Sequence, residues 1–95
     1  MKDIMGNKLE FGQRVRINSC LDRQTDYPNR TWKSLSGGFP RDGLYIGYRT
    51  IYEGVLRAKS YDDPGYLSVT KSHVVYLVVE AENKKPFYSD SVQVC

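Results

Sequence analysis

The sequence contains few of the residues on which catalysis and covalent cross-linking depend. Of its 95 residues, one is histidine, two are cysteine and one is tryptophan. Two cysteines are too few for a disulfide framework or for a zinc site, which takes four ligands, or three and a water. A general base needs an oriented partner and a nearby nucleophile, and no pattern around His73 supplies either. We therefore expect a protein that is not an enzyme, with no catalytic, metal-binding or cofactor-binding residues.

Long apolar runs are also missing. The sequence has no stretch of about 18 apolar residues, the length that spans a membrane as a helix. Residues 1–6 lack the apolar centre of a signal peptide. These absences predict a cytoplasmic protein without a membrane partner. In that compartment we expect Cys20 and Cys95 to remain free thiols.

The chain is, by contrast, rich in tyrosine and has more basic than acidic residues. It contains eight Tyr, and its net charge is +3. Residues 1–59 hold eleven Lys/Arg against six Asp/Glu, whereas residues 60–95 hold three against five. Tyrosine suits half-buried strands and binding surfaces alike. A basic half attracts nucleic acid or an acidic protein surface, and a solvated surface with no partner explains so small a bias equally well.

β-Branched and aromatic residues recur in short segments separated by turn residues, which is typical of consecutive strands. The pattern predicts an all-β domain over residues 8–95, preceded by an N-terminal arm over 1–7. We expect strands at 14–17, 44–52, 55–59, 74–81, 86–88 and 92–94, a long first loop at 21–43, a turn at Glu53-Gly54 and a short 3₁₀ turn at 89–91. Gly47 lies inside a predicted strand and indicates a bulge, which leaves open which tyrosines of that strand face the core.

This order of elements resembles a small SH3-like barrel of five to six strands. Residues 11–17, Phe-Gly-Gln-Arg-Val-Arg-Ile, look like the first strand of the KOW and Tudor relatives of that barrel. The segments 43–54, 76–79 and 83–86 are similar to small accessory proteins of tailed bacteriophages. The resemblance spans roughly residues 8–94. It implies a phage protein, acting in the host cytoplasm, that binds and inhibits or modulates a host defence or regulatory factor. The acidic first loop and paired Trp of Pro-rich-peptide-binding SH3 domains are absent.

Arginine and aromatic residues are mixed in the predicted first loop and second strand. Such mixtures are enriched in protein interfaces and also suit single-stranded nucleic acid. The alternative is that the aromatics fill the barrel. We therefore expect a protein-binding module, with nucleic-acid binding as the alternative and a homodimer left open. The expected contact residues are Arg30, Trp32, Lys33, Phe39, Arg41, Tyr48, Arg49 and Tyr52.

Overall fold

The computed structural model describes residues 1–58, 65–83 and 85–95. It confirms the all-β prediction, because the described residues form one open antiparallel sheet of seven strands and no helix. The strands are β1 (Arg14–Ile17), β2 (Cys20–Asp26), β3 (Asn29–Leu35), β4 (Arg41–Arg57), β5 (Tyr66–Glu80), β6 (Pro86–Ser89) and β7 (Val92–Val94). Their order is β2-β3-β4-β1-β7, with β5 on the other side of β4 and β6 beyond β5.

The predicted long loop at 21–43 is wrong over most of its length. Residues 20–26 and 29–35 form the β2–β3 hairpin, closed by the two residues Tyr27-Pro28. Both strands are polar, and neither has a fully buried side chain, so the apolar alternation that reveals a strand is missing. Pro28, Gly37, Gly38 and Pro40 lie in the short connections on either side of β3, whereas Gly43 lies in β4. The hairpin therefore accounts for two more strands than the sequence predicted.

The predicted turn at Glu53-Gly54 is also wrong, because β4 continues through it to Arg57. The register of β4 against β5 shifts between Glu53 and Gly54, so the glycine marks a bulge. The two predicted strands at 44–52 and 55–59 are thus one strand up to Arg57, while Lys59 lies outside the described residues. A straight strand of 17 residues would extend roughly 53 Å at about 3.3 Å per step, so β4 runs along most of the longest dimension of 50 Å.

The bulge predicted at Gly47 is present, with a register shift between Tyr45 and Gly47 and a φ of +143° at the glycine. Strict alternation would have put Tyr45 on the same face of β4 as Ile51. The shift turns Tyr45 to the opposite face, where it packs in the core. Between Ser89 and Val92 the described chain bends without forming the predicted 3₁₀ turn.

The main core lies where β1, β7 and the first part of β4 meet β5. Val15 and Ile17 alternate with exposed Arg14 and Arg16 on β1, as period-two alternation predicts. The buried cluster comprises Leu9, Val15, Ile17, Tyr45, Tyr76, Val78 and Val92. Ile51 and Val75 are buried outside this cluster, farther along β4 and β5, where the β2–β3 hairpin covers the sheet.

The N-terminal residues are attached to the domain through Asp3. This side chain is only 6% exposed, and its carboxylate accepts hydrogen bonds from the backbone N–H groups of Met5, Asn7 and Val94. Burial alone would raise the pKa of Asp3, but the hydrogen bonds from Val94 and Asn7 outweigh it and hold the pKa below its ordinary value of 3.8. The ionised carboxylate therefore joins the arm to β7.

Replacement of Asp3 by asparagine is expected to lower Tm at pH 7 and to reduce the loss of stability in acid. The folded-state pKa lies below the unfolded value, so the contribution of Asp3 is complete above the unfolded pKa and is lost as pH falls through the folded pKa. Thermal unfolding at pH 7 and pH 3 measures the effect. Asp26→Asn, at an exposed position where the carboxylate accepts no hydrogen bond from the described residues, is the control and should keep the wild-type difference. An equal pH response of Asp3→Asn and wild type would contradict this role.

Candidate functional site

Trp32 is the central side chain of the candidate site, and the β2–β3 hairpin positions it. Arg23 lies directly opposite Trp32 in the hairpin, and its guanidinium carbon is 5.2 Å from the centre of the Trp32 rings. Tyr88 of β6 meets the indole edge-on, with ring centres 5.7 Å apart. The indole N–H donates to the backbone oxygen of Tyr52 at 3.2 Å. Trp32 is thereby held between β2, β4 and β6.

A cavity of about 210 Å³ opens beside this tryptophan. We call it the arginine–tryptophan pocket and define it by Arg23, Arg30, Trp32, Tyr52 and Tyr88, five of the residues that line it. Trp32 and Tyr88 are half-buried, while Tyr52 is 50% exposed. The pocket thus combines three aromatic side chains with two cations, and no carboxylate is among the described residues that line it.

Arg30 contributes a guanidinium whose N–H groups have no acceptor among the described residues. Its Nε atom is buried and has no hydrogen-bond partner among the described residues. Arg30 pairs with Gly54 across β3 and β4 and with Thr25 across the hairpin, so its backbone is fixed on both sides. A buried N–H without an acceptor is unfavourable by about 1–3 kcal/mol. The Nε has almost no accessible surface, so an acceptor that entered the pocket would meet the terminal N–H groups of Arg30 instead.

Glu53 and His73 lie on the other side of Trp32. Glu53 Oε1 is 2.6 Å from His73 Nε2, and Glu53 Oε2 accepts from the backbone N–H of Trp32 at 3.2 Å. The hydrogen bond with His73, and then that from Trp32, lower the pKa of Glu53 from its ordinary value of 4.5. Both oxygens of the Glu53 carboxylate thus bond within the protein, and one of them holds the backbone of Trp32 in place.

Phe39 and Arg41, two of the predicted contact residues, lie at a different place. Phe39 is half-buried and packs against the main core beside Phe87, with ring centres 6.2 Å apart. The Arg41 guanidinium carbon lies over the Phe39 ring, 4.7 Å from its centre. Arg41 also pairs with Glu80 at 2.6 Å and donates to the backbone oxygen of Gly38 at 2.9 Å. Two of the three nitrogens of this guanidinium therefore bond within the protein, and both side chains stabilise the fold.

The other predicted contact residues are exposed but separate. Tyr48 is 56% exposed on β4, and Arg49 beside it donates to the Tyr48 backbone oxygen at 2.7 Å. Lys33 is exposed opposite Asp22, and period-two alternation puts it on the face of β3 away from Trp32. Of the eight predicted residues, the structure therefore brings Arg30, Trp32 and Tyr52 together in one pocket.

Sequence reasoning missed Arg23, Tyr88 and the Glu53–His73 pair. Arg23 could have been found from the hairpin, because a two-residue connection at Tyr27-Pro28 places Arg23 directly opposite Trp32. The other three depend on contacts between strands far apart in sequence, and no local pattern signals them. The sequence pattern predicts Glu53 in a turn, whereas the structure places it inside β4.

The comparisons with known proteins add no function. The chain matches no protein-family model, no curated protein and no solved structure. In residues 1–58, 65–83 and 85–95, no group of three His, Cys, Asp or Glu side chains is placed to hold a metal ion. The same residues contain no helix that could cross a membrane, and both Cys20 and Cys95 have free thiols.

Proposed function

We propose that this chain is a non-enzymatic binding module that docks on another protein through the arginine–tryptophan pocket. The observation that carries this proposal is the joining of Arg23, Arg30, Trp32, Tyr52 and Tyr88 in one concave site. Tryptophan, tyrosine and arginine are the residue types that dominate the binding energy of protein interfaces, because they combine large contact areas with directional hydrogen bonds.

The biological setting we propose follows the resemblance of the sequence to phage accessory proteins. In that setting the fold is an SH3-like barrel of the KOW or Tudor kind, and the partner is a host defence or regulatory factor that docking inhibits or modulates. The hairpin folded over the second half of the sheet supports this proposal, since β2 approaches β6 and partly encloses Ile51 and Val75. The site of action is the host cytoplasm.

Capture from a bacterial lysate tests the proposed function with matched variants. We expect the wild-type chain and Tyr66→Ala to retain the same stoichiometric protein, and Tyr52→Ala to lose it. Tyr52 lines the pocket, whereas Tyr66 is 58% exposed and is not among its lining residues. Circular dichroism checks that both variants fold. Absence of a stoichiometric protein, or equal retention by both variants, would count against the proposal.

Single-stranded nucleic acid is the second candidate, because two arginines beside aromatic rings suit phosphates and bases. Phosphate-driven binding weakens steeply with added salt. If this candidate holds, a fluorescent oligothymidylate should bind the protein at 50 mM salt, and the binding should fall by at least about tenfold at 200 mM. Absent binding at low salt would exclude the candidate.

A further inference from the structure

The size of the arginine–tryptophan pocket limits what can enter it. Pockets for drug-sized molecules measure about 300–1,000 Å³, whereas this cavity measures about 210 Å³. A volume of that order suits one side chain of a larger partner. This inference rests on the proposed function, and it concerns the chemistry of the group that the partner inserts.

The charges of the pocket favour an acidic side chain. Arg23 and Arg30 both line it, and neither forms an ion pair with a described residue. The Arg23 guanidinium carbon lies over the Trp32 ring, 5.2 Å from its centre, and its N–H groups have no acceptor among the described residues. Arg30 adds terminal N–H groups that have no acceptor among the described residues. A carboxylate accepts from several N–H groups at once, so it can satisfy both arginines.

The surroundings of Trp32 disfavour a stacked base. Arg23 lies over the ring, Tyr88 contacts its edge, and the indole N–H is engaged by the Tyr52 backbone oxygen. A base that stacked on the pocket side of Trp32 would have to displace the Arg23 guanidinium. A carboxylate needs no such displacement, because it approaches the edge of the guanidinium.

An open strand edge runs beside the pocket. On the side of β4 away from β5, β1 pairs as far as Leu44 and β3 pairs from Gly54 onward. Between them, no described strand pairs with residues 46–53 on that side. The Tyr52 backbone oxygen points to this edge, since it accepts from the Trp32 indole. The backbone of Thr50, two residues earlier in the strand, points the same way. Thr50 also lines the pocket. An extended segment can pair with such an edge through its backbone.

We infer that the pocket and the adjoining edge of β4 bind an extended acidic segment of a partner protein. The backbone of the segment lies along residues 46–51, short of the Tyr52 oxygen that Trp32 already engages, and one Asp or Glu side chain enters the pocket between Arg23 and Arg30. The carboxylate accepts hydrogen bonds from the terminal N–H groups of both guanidinium groups, because both arginines line the pocket. The backbone contacts supply part of the affinity, and the buried carboxylate selects the sequence.

An octaglutamate peptide with blocked termini tests this inference, and Trp32 is the reporter because it is the only tryptophan. Fluorescence excited at 295 nm avoids the eight tyrosines. We expect a saturable change in Trp32 emission on titration with octaglutamate and none with octalysine. Arg30→Gln should weaken octaglutamate binding at least about tenfold, in line with the loss of a charged hydrogen-bond donor. Lys33→Gln, which removes the same charge from the opposite face of β3, should leave the affinity within about twofold, as an exposed charge does.

Three outcomes would overturn the inference. The first is the absence of a saturable change with octaglutamate at millimolar concentration. The second is equal weakening by Arg30→Gln and Lys33→Gln, which would mean that general electrostatic attraction binds the peptide. The third is tighter, Arg30-dependent binding of octathymidylate than of octaglutamate, which would assign the pocket to single-stranded nucleic acid. If the peptide fails while the Tyr52-dependent capture of a host protein succeeds, the proposed function stands without an acidic segment.

Discussion

Replacement of Gly54 by alanine is expected to destabilise the protein by about 3 kcal/mol or more, at the upper end of the range for overpacking a well-packed site. Gly54 is buried in β4, where it pairs with Arg30 of β3 on one side and with Val69 of β5 on the other. A Cβ at this position would overlap the backbone oxygen of Ser68 and lies only 3.1 Å from the Cα of Val69. Relief requires the strands to separate, so the paired backbone of the bulge and the position of Arg30 would both be disturbed.

Urea unfolding followed by circular dichroism measures this effect, and Gly37→Ala is the matched control. A Cβ added at Gly37 meets no atom within 4 Å, and this glycine does not have a positive φ. We expect the control to remain within about 0.5 kcal/mol of wild type, as for most surface substitutions. The pair also tests the bulge directly, because a glycine in an exposed turn would accept a Cβ at little expense. Equal stability of Gly54→Ala and wild type would therefore contradict the continuous β4.

The all-β class could be predicted from the sequence because the core strands carry local signals. Val15 and Ile17 alternate with arginines, and residues 74–80 form the most apolar run of the chain, which the structure places in β5 between β4 and β6. Both patterns arise because buried positions of a strand take apolar residues, so the apolar pattern reveals the strand. The β2–β3 hairpin carries no such signal, because it covers the sheet mainly through Trp32 and leaves most of its other side chains exposed.

The candidate site could be predicted only in part for a related reason. Residue type pointed to Arg30, Trp32 and Tyr52, because arginine and large aromatics are common in interfaces. Residue type alone could not separate them from Phe39 and Arg41, whose chemistry is the same but whose contacts are internal. The distinction depends on whether Glu80 lies near Arg41 and whether any acceptor lies near Arg30. Those are long-range contacts, which the fold determines.

Replacement of Trp32 by alanine should be the most destabilising change within the candidate site. Truncating a large buried aromatic destabilises proteins by about 3–5 kcal/mol, and we expect about 3 kcal/mol here because Trp32 is only half-buried. The variant loses the stacking of Arg23, the edge contact with Tyr88 and the hydrogen bond to the Tyr52 backbone oxygen. These contacts join the hairpin to β4 and β6, and Ile51 and Val75 beneath it would become exposed to water. For this reason the tests of binding use Tyr52 and Arg30.

Trp32→Phe separates the two contributions of the indole. Phenylalanine keeps a ring for Arg23 and Tyr88 but removes the N–H that donates to the Tyr52 oxygen, so we expect a loss of about 1 kcal/mol, the usual net value of one hydrogen bond.

Hydrogen exchange of the β2–β3 amides gives the more local measurement. Trp32→Ala should speed exchange there more than in β1 and β7, because the main core around Val15 does not contact Trp32. Equal acceleration in all strands would mean that the hairpin unfolds only together with the rest of the sheet, which would contradict a separately attached hairpin.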